Sequence, residues 1–543
     1  MEVKRFQSGK FPYSYKDKIR ALIEQEQGAT IKNHGGKHRL CLAYPNSYHV
    51  GMSNLGFRII YSMINERNDA LCERTFLPEP DICDEFKRTG TVLFSYESLT
   101  PLTAFDIVAL SVSYENDYIN VLKILELAKI PLYAKDRNDT HPLVIMGGPC
   151  AFMNPQPLAP FFDVVFAGEG EPLIESFFSK LDKSSGKTAL LNSLKGEPGF
   201  YLPADTPEKV KRVFAGDLNK LRVPSQLLSQ NTEFSNMYLI EAMRGCPWKC
   251  RFCAISSIYG PPRKRDLTSV KEEIDRVKPS CGRMGLIGPS LTDYPHIDEV
   301  LGIDGVEFSI TSLRASHRSG EILSLMKEKQ SVSIAPEAGS ERLRAVINKK
   351  ITHEDIITTC RLIFEKGISM LRLYFMTGLP TETHDDILEI IHLAGQIRGL
   401  SKSGQISITV SPFVPKAFTP FQWHPMESEQ IIKQRLKTLK NGLKNYGIKL
   451  SYDAAGAAYL EGYFARAGKE AANVLNIMLQ KKLNFKAASK EANIDYKKVL
   501  FGNRNFESSL PWDFIDCGTD KLKLWNEYME ALKGQGFRVD YSK

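Results

Sequence analysis

No stretch of the 543-residue chain approaches the ~20 uninterrupted apolar residues of a membrane-spanning helix. Met1-Glu2-Val3-Lys4-Arg5 leads into polar sequence without the apolar core of a signal peptide, so a cytoplasmic protein is the expectation. Basic runs are also lacking. The formal charge is +8, and no Lys/Arg block is long enough for a nucleic-acid arm, which leaves no clear nucleic-acid signal. There are ten cysteines but no secretion signal, so Cys41, Cys72, Cys83, Cys150, Cys281, Cys360 and Cys517 read as reduced core thiols. What is present is length for about three domains at roughly 150 residues each.

The other three cysteines stand together. In Glu241-Ala242-Met243-Arg244-Gly245-Cys246-Pro247-Trp248-Lys249-Cys250-Arg251-Phe252-Cys253 they are spaced C-x3-C-x2-C, directly after the apolar run Met237-Tyr238-Leu239-Ile240. Three clustered thiolates favour zinc or an iron–sulfur cluster. A closed zinc site wants four ligands, and no obvious fourth is nearby. A [4Fe–4S] cluster held by three cysteines keeps one iron open. A zinc knuckle or a chance grouping is the alternative.

The spacing, the position after a strand and Phe252 just before the last cysteine resemble the signature of the radical S-adenosylmethionine (radical SAM) superfamily. The resemblance implies that Cys246, Cys250 and Cys253 bind a [4Fe–4S] cluster whose open iron takes SAM. It also implies reductive cleavage of SAM to a 5′-deoxyadenosyl radical, with electrons from a low-potential donor such as ferredoxin or flavodoxin.

Residues 1–36 form a polar lead-in. Strands alternate with helices over 37–182: Arg39 to Tyr44, a helix carrying Leu55, Ile59, Ile60 and Met63, Asp106 to Val112, Tyr118 to Ala128, Leu143 to Met146 and Asp163 to Ala167. This alternation predicts a doubly wound parallel sheet with ligand loops at its strand C-terminal ends. Tyr44-Pro45…Gly51-Met52-Ser53, Phe105-Asp106-Ile107-Val108, Gly147-Gly148-Pro149, Asn154-Pro155 and Gly168-Glu169-Gly170-Glu171-Pro172 resemble the Rossmann-like cobalamin-binding domain found before many radical SAM barrels. That resemblance implies bound cobalamin, with Tyr44, Gly51, Gly147, Gly148, Gly168 and Glu169 as cofactor-site residues. The D-x-H-x-x-G cobalt-ligand signature is absent: residue 47 is Ser, and Gly51 comes one position early. His49 therefore reads as a loop histidine, and a vestigial module without corrinoid stays open.

Residues 183–235 are polar and Gly/Pro-punctuated, as in a linker, with a short strand at Gly199 to Pro203. Over 236–450, six β/α units follow in a row. Their strands are the one before the cysteines, Arg283 to Ile287, Val306 to Ile310 leading to Thr311-Ser312-Leu313-Arg314, Ser331 to Ala335, Leu371 to Phe375, and Ile406 to Val410. Ser269 with Glu272, Thr352 with Asp355 and Thr383 with Asp386 read as helix caps. The expectation is a partial (β/α)6 barrel of the TIM type, with ligands at the strand C-terminal ends. The superfamily resemblance implies that Phe252, Ser290, Arg314, Glu337, Gly378 and Ser411 surround SAM. Gly288-Pro289-Ser290 replaces the family's Gly-Gly-Glu.

From 451 to 543 a helical extension is expected, clearest over Glu470 to Leu479, with Pro511-Trp512-Asp513-Phe514-Ile515-Asp516-Cys517-Gly518 as an anchor onto the barrel. The function implied is cobalamin-dependent methyl transfer to an unactivated carbon of an unknown substrate. Radical oxidation, cyclisation or rearrangement, a tRNA methylthiotransferase using further N-terminal cysteines, and an iron–sulfur redox sensor are the alternatives.

Overall fold

The computed structural model describes residues 11–35, 38–205, 209–221, 224, 226–310, 312–316, 318–326 and 331–533. The start of the lead-in and Thr311 lie outside the described residues. Six strands form the N-terminal sheet: β1 His38–Tyr44, β2 Ala70–Phe76, β3 Ile107–Ser111, β4 Leu143–Gly147, β5 Val164–Phe166 and β6 Phe200–Tyr201, in the order β2-β1-β3-β4-β5-β6. The first five pair in parallel, and β6 runs antiparallel to β5. Parallel strands need cover on both faces, and β2 is buried along its whole length. The order reverses between β1 and β3, where such sheets leave a crevice at their C-terminal edge.

The expected linker is partly structured. The helix Lys187–Leu194 and β6 attach to the N-terminal half, and Val210–Lys211 (β7) forms a two-residue strand. Then come β8 Tyr238–Glu241, the hairpin strands β9 Met243–Arg244 and β10 Arg263–Lys264, β11 Arg283–Ile287, β12 Glu307–Ser309, β13 Ser331–Glu337, β14 Met370–Thr377, β15 Gln405–Pro412 and β16 Lys449–Tyr452. β12, β11 and β8 make one parallel sheet, and β13 to β16 make another. The parallel bridge Leu313 to Ile334 joins them. All six expected strands are present, and β16 is a seventh.

Thr352 and Thr383 each close a capping box with Asp355 and Asp386. The helix Leu267–Val277 begins earlier than expected. Its cap is Asp266, which accepts from the Ser269 N–H, so Ser269 is inside the helix. A carboxylate at that position answers an orphan N–H and the positive helix end together.

The tail is helical over Ala455–Arg466, Ala471–Lys481, Phe485–Glu491, Tyr496–Phe501 and Lys521–Leu532. Ile515–Asp516 (β17) pairs in parallel with β7, and Trp512 is buried with its Nε1 donating to Gln422 Oε1 at 2.8 Å. One apolar core joins the N-terminal sheet to the tail helices, and a second belongs to the two parallel sheets of the C-terminal half and their helices. All ten cysteines are free thiols. No described helix is long and apolar enough to cross a membrane.

Candidate active site

The three clustered cysteines ride on the loop between β9 and β10, and each is half-buried. Gly245 opens the loop at φ 76°, where an added Cβ would lie 2.5 Å from Tyr259 O, so only glycine turns the chain here. The far side is pinned to residues 345–348. The Arg251 N–H donates to Ile347 O at 2.9 Å, Arg251 Nη1 to Val346 O at 2.8 Å, and Asn348 Nδ2 to Lys249 O at 3.0 Å. Trp248 is braced from two sides: its Nε1 donates to Asp293 Oδ2 at 2.6 Å, and the Arg314 guanidinium stands 3.6 Å from its ring centroid. Ser290 donates to the same Asp293 oxygen at 2.5 Å. Ser290 and Arg314 therefore both reach the cysteine loop through Trp248.

As the side chains stand, no three His, Cys, Asp or Glu groups among the described residues form a single-ion site. A cluster asks for something else, because each cysteine binds its own iron. The thiols share one electrostatic neighbourhood. Burial pushes Cys253 up to about 12 and raises Cys250, the latter against the pull of Lys349 and Arg314. Such thiols give up their protons only when a metal takes the place of the proton. Three thiols on one loop, with cations beside them, are a donor set that fits a [4Fe–4S] cluster.

Glu337 ends β13 at φ 69°, where the pairing with β14 slips between Ile334 and Glu337. A left-handed non-glycine residue costs roughly 1–3 kcal/mol and is kept where the surroundings impose it. Burial raises the Glu337 carboxyl against the pull of Lys349, whose Nζ lies 3.1 Å from Oε1. Gly378, at φ 87°, gives its N–H to Glu382 Oε2 at 2.6 Å. Glu382 in turn pairs with Arg435 at 2.7 Å. Ser411 donates to Asp453 Oδ2 at 2.5 Å, and both border a cavity of about 430 Å³ with Phe252 and Met376.

A larger cavity, about 490 Å³, lies in the N-terminal half. Its deep walls are apolar, among them Leu40, Leu42, Ile60, Ala109, Ile145 and Phe177. Gly147, Gly148, Gly168 and Glu169 border it, as do Gly245, Ile255 and Gly288 from the half that carries the cysteines. Tyr44 and Gly51 are set back in the core instead: Tyr44 packs edge-on to Phe57, and a Cβ on Gly51 would meet Phe76 at 2.5 Å. His49 is exposed beside Glu233 and does not border the cavity.

The Glu169 carboxylate is not free for a ligand. Arg263 and Arg244 pair with it at 2.6 and 2.7 Å, and Arg244 also holds Glu171 at 2.8 Å and Glu241 at 2.7 Å. Burial pushes the Glu169 carboxyl up, but the two guanidiniums outweigh it and hold it below the usual range. Both arginines belong to the hairpin that carries the cysteines, so the Gly-Glu-Gly-Glu loop is tied to the base of the cysteine loop. Sequence reasoning missed Arg244, Trp248, Asp293 and Lys349. The only available signal was that Arg244 and Trp248 stand within the cysteine motif.

Residues 56–203 match the family model described as "Radical SAM proteins, N-terminal", and residues 240–394 match the one described as "Radical SAM superfamily". An uncharacterized protein of Methanocaldococcus jannaschii is 30% identical over 444 residues, covering 80% of this chain and 90% of that protein. A tRNA-2-methylthio-N(6)-dimethylallyladenosine synthase of Sulfurihydrogenibium sp. is 23% identical over 229 residues, 39% of this chain and 51% of that protein. Among solved structures, the cobalamin-dependent S-adenosylmethionine radical enzyme OxsB aligns at 17% identity and a TM-score of 0.47, covering 66% of this chain and 51% of OxsB.

Proposed function

Because the chain belongs to the radical SAM superfamily, we propose that this radical SAM enzyme binds a corrinoid in its N-terminal half and transfers a methyl group to an unactivated carbon. Cys246, Cys250 and Cys253 would hold the [4Fe–4S] cluster. Phe252, Met376 and Ser411 would border SAM, with Glu337 and Arg314 near its amino acid end. When bound, the cluster supplies the electron that cleaves SAM, and the corrinoid supplies the methyl group.

The chain's own residues do the positioning. Trp248, held between Asp293 and Arg314, fixes the cysteine loop, while Arg244 and Arg263 fix that loop against the N-terminal half. The tail helix Ala455–Arg466 walls one side of the 430 Å³ cavity through Glu461, which accepts from Tyr114 at 2.7 Å and pairs with Lys416 at 2.9 Å. A reducing cytoplasm and a low-potential donor such as ferredoxin or flavodoxin belong to the same reading.

One observation carries the corrinoid part. A single cavity has the apolar interior of the N-terminal sheet at one end and the residues flanking the cysteine loop, Gly245 and Ile255, at the other. At about 490 Å³ it suits the flat, base-bearing arm of a corrinoid rather than the whole molecule. Anaerobic protein supplied with cobalamin is expected to retain corrinoid absorbance after desalting, and Ala109→Trp, which fills the cavity, to lose it. Wild-type protein that retains no corrinoid would rule out this route to methylation.

The methylthiotransferase alternative needs a second cluster from N-terminal cysteines. Cys41, Cys72 and Cys150 are instead fully buried in the core, and Cys83 donates to Pro78 O at 3.2 Å. A single cluster is the reading that their positions support.

A further inference from the structure

From Gly245 to Cys253, Pro247 and Lys249 are exposed, and the other residues are buried or half-buried. Protein covers the remaining sides of the loop. Arg244 is locked to the N-terminal half through Glu169 and Glu171, Arg251 faces Glu527 of the tail helix Lys521–Leu532 at 3.8 Å, and Phe252 borders the 430 Å³ cavity. The tip at Lys249, next in the chain to Cys250, is therefore the side on which another macromolecule comes closest to the cysteines. This side is basic. Lys249 O accepts from Asn348 Nδ2 at 3.0 Å, and Lys350, two positions on, accepts at its carbonyl from Arg314 Nη2 at 2.5 Å. Arg314 lies over the Trp248 ring, Trp248 donates to Asp293 Oδ2, and Lys264 Nζ donates to Asp293 O at 3.1 Å. Lys249, Lys264 and Lys350 are thus gathered around Trp248, and all three are exposed. Among the described residues, no carboxylate pairs with them. The carboxylates nearby are engaged inward: Asp293 by Trp248 and Ser290, Glu337 by Lys349, and Asp355 by its capping box.

We infer that the face carrying Lys249, Lys264 and Lys350 docks the protein that delivers electrons, an acidic one-electron carrier. This rests on the radical SAM reading above and adds to it the side of entry and the sign of the partner's charge. The carrier gives up one electron, the cluster takes it on passing from its 2+ to its 1+ state, and no proton moves. Electron transfer falls off steeply with distance, which favours docking at the exposed tip over any covered side. Complementary charge steers encounters onto one face and raises on-rates by about 10- to 1,000-fold, an effect that salt screens. Exposed lysines at the rim of such a contact act on the on-rate and on its salt dependence.

The test uses the anaerobically reconstituted full chain and fully reduced flavodoxin as the carrier, with cluster reduction followed by absorbance and carrier binding by calorimetry. Two double variants are compared with wild type: Lys249→Glu with Lys350→Glu, and Lys490→Glu with Lys497→Glu on the tail helices, which changes the net charge equally. At low salt the first variant is expected to be reduced about 10-fold more slowly than wild type or slower still, and to bind the carrier more weakly. At about 0.5 M salt the difference should close, and the second variant should match wild type throughout. Reduced methyl viologen, a small cation that needs no docking face, should reduce the first variant at least as fast as wild type, which separates lost docking from a damaged cluster. Equal slowing of both variants, a difference that salt does not change, or slowing with viologen as well overturns the assignment. So does transfer RNA that binds wild type and not the first variant while carrier binding stays unchanged. Wild type reduced by viologen and not by the carrier overturns the docking face alone, whereas wild type that takes up no cluster overturns the radical SAM reading with it.

Discussion

At the scale of single residues, buried charges hold the loops around the candidate site, and they are what the sequence conceals best. Asp117, at the C-terminal edge of the N-terminal sheet, is 5% exposed and accepts from Asn46 Nδ2 at 2.8 Å and Asn120 Nδ2 at 3.1 Å. Burial pushes its carboxyl up to about 6, against the pull of both amides. An acid whose folded value lies above its unfolded value, about 3.9, favours folding while it is protonated. Its contribution is present below about pH 4 and is lost as pH rises through about 6, a loss on the order of 2–3 kcal/mol. Asp117→Asn is therefore expected to add stability at pH 7.5 and little at pH 4.5. Thermal midpoints of both proteins at the two pH values check this, and an advantage that does not grow with pH counts against it. A one-dimensional pattern shows Asp117 as polar, but its burial depends on residues 71 positions away.

At the scale of elements, most strands were legible. β14 alternates buried Leu371, Leu373 and Phe375 with exposed Arg372 and Tyr374, which is a strand's period of two. Besides the two-residue strands β7, β9, β10 and β17, two longer strands were hidden, for opposite reasons. β2 contains Glu73 and Arg74 and reads as polar, yet both are buried: Arg74 pairs with Glu26 at 2.7 Å and Glu97 at 2.6 Å. β16 carries exposed Lys449, Ser451 and Tyr452, so its position at the edge of its sheet left no apolar signal. The docking of the helix Ala455–Arg466, unlike the Trp512 anchor, was invisible for a third reason, because it is made to backbone carbonyls. Asn154 Nδ2 lies 3.3, 3.2 and 2.9 Å from the carbonyl oxygens of Phe464, Ala465 and Ala467, at the end of the helix Ala455–Arg466. Asn154→Ala leaves these groups without that donor and is expected to cost about 1–3 kcal/mol. Faster amide exchange in residues 455–481, with the barrel strands unchanged, is the expected readout. Unchanged exchange there would mean that the apolar core alone holds the tail.

At the scale of the whole molecule, an ionic seam at the base of the cysteine loop ties that loop to the N-terminal half, beside an apolar core that runs from the N-terminal sheet to Ile258, Leu343 and Phe413. Arg244 is its centre, 12% exposed and shared among Glu169, Glu171 and Glu241. Removing one partner of a buried network strands the other charges and costs about 3–5 kcal/mol. Arg244→Met is therefore expected to lower the thermal midpoint and to speed loss of iron from reconstituted protein. A variant with wild-type midpoint and iron retention would show that the seam holds neither half in place. The sequence announced the cysteines because three thiols on one loop are a local pattern. It could not announce the seam, which links residues 75 positions apart. The central claim, that Cys246, Cys250 and Cys253 carry a cluster that cleaves SAM, is tested most directly by 5′-deoxyadenosine formation under strong reductant, compared between wild type and the triple cysteine-to-alanine variant. Wild type with about four irons per chain is expected to form it and the variant to form none. Product from the variant, or none from fully loaded wild type, would contradict the claim.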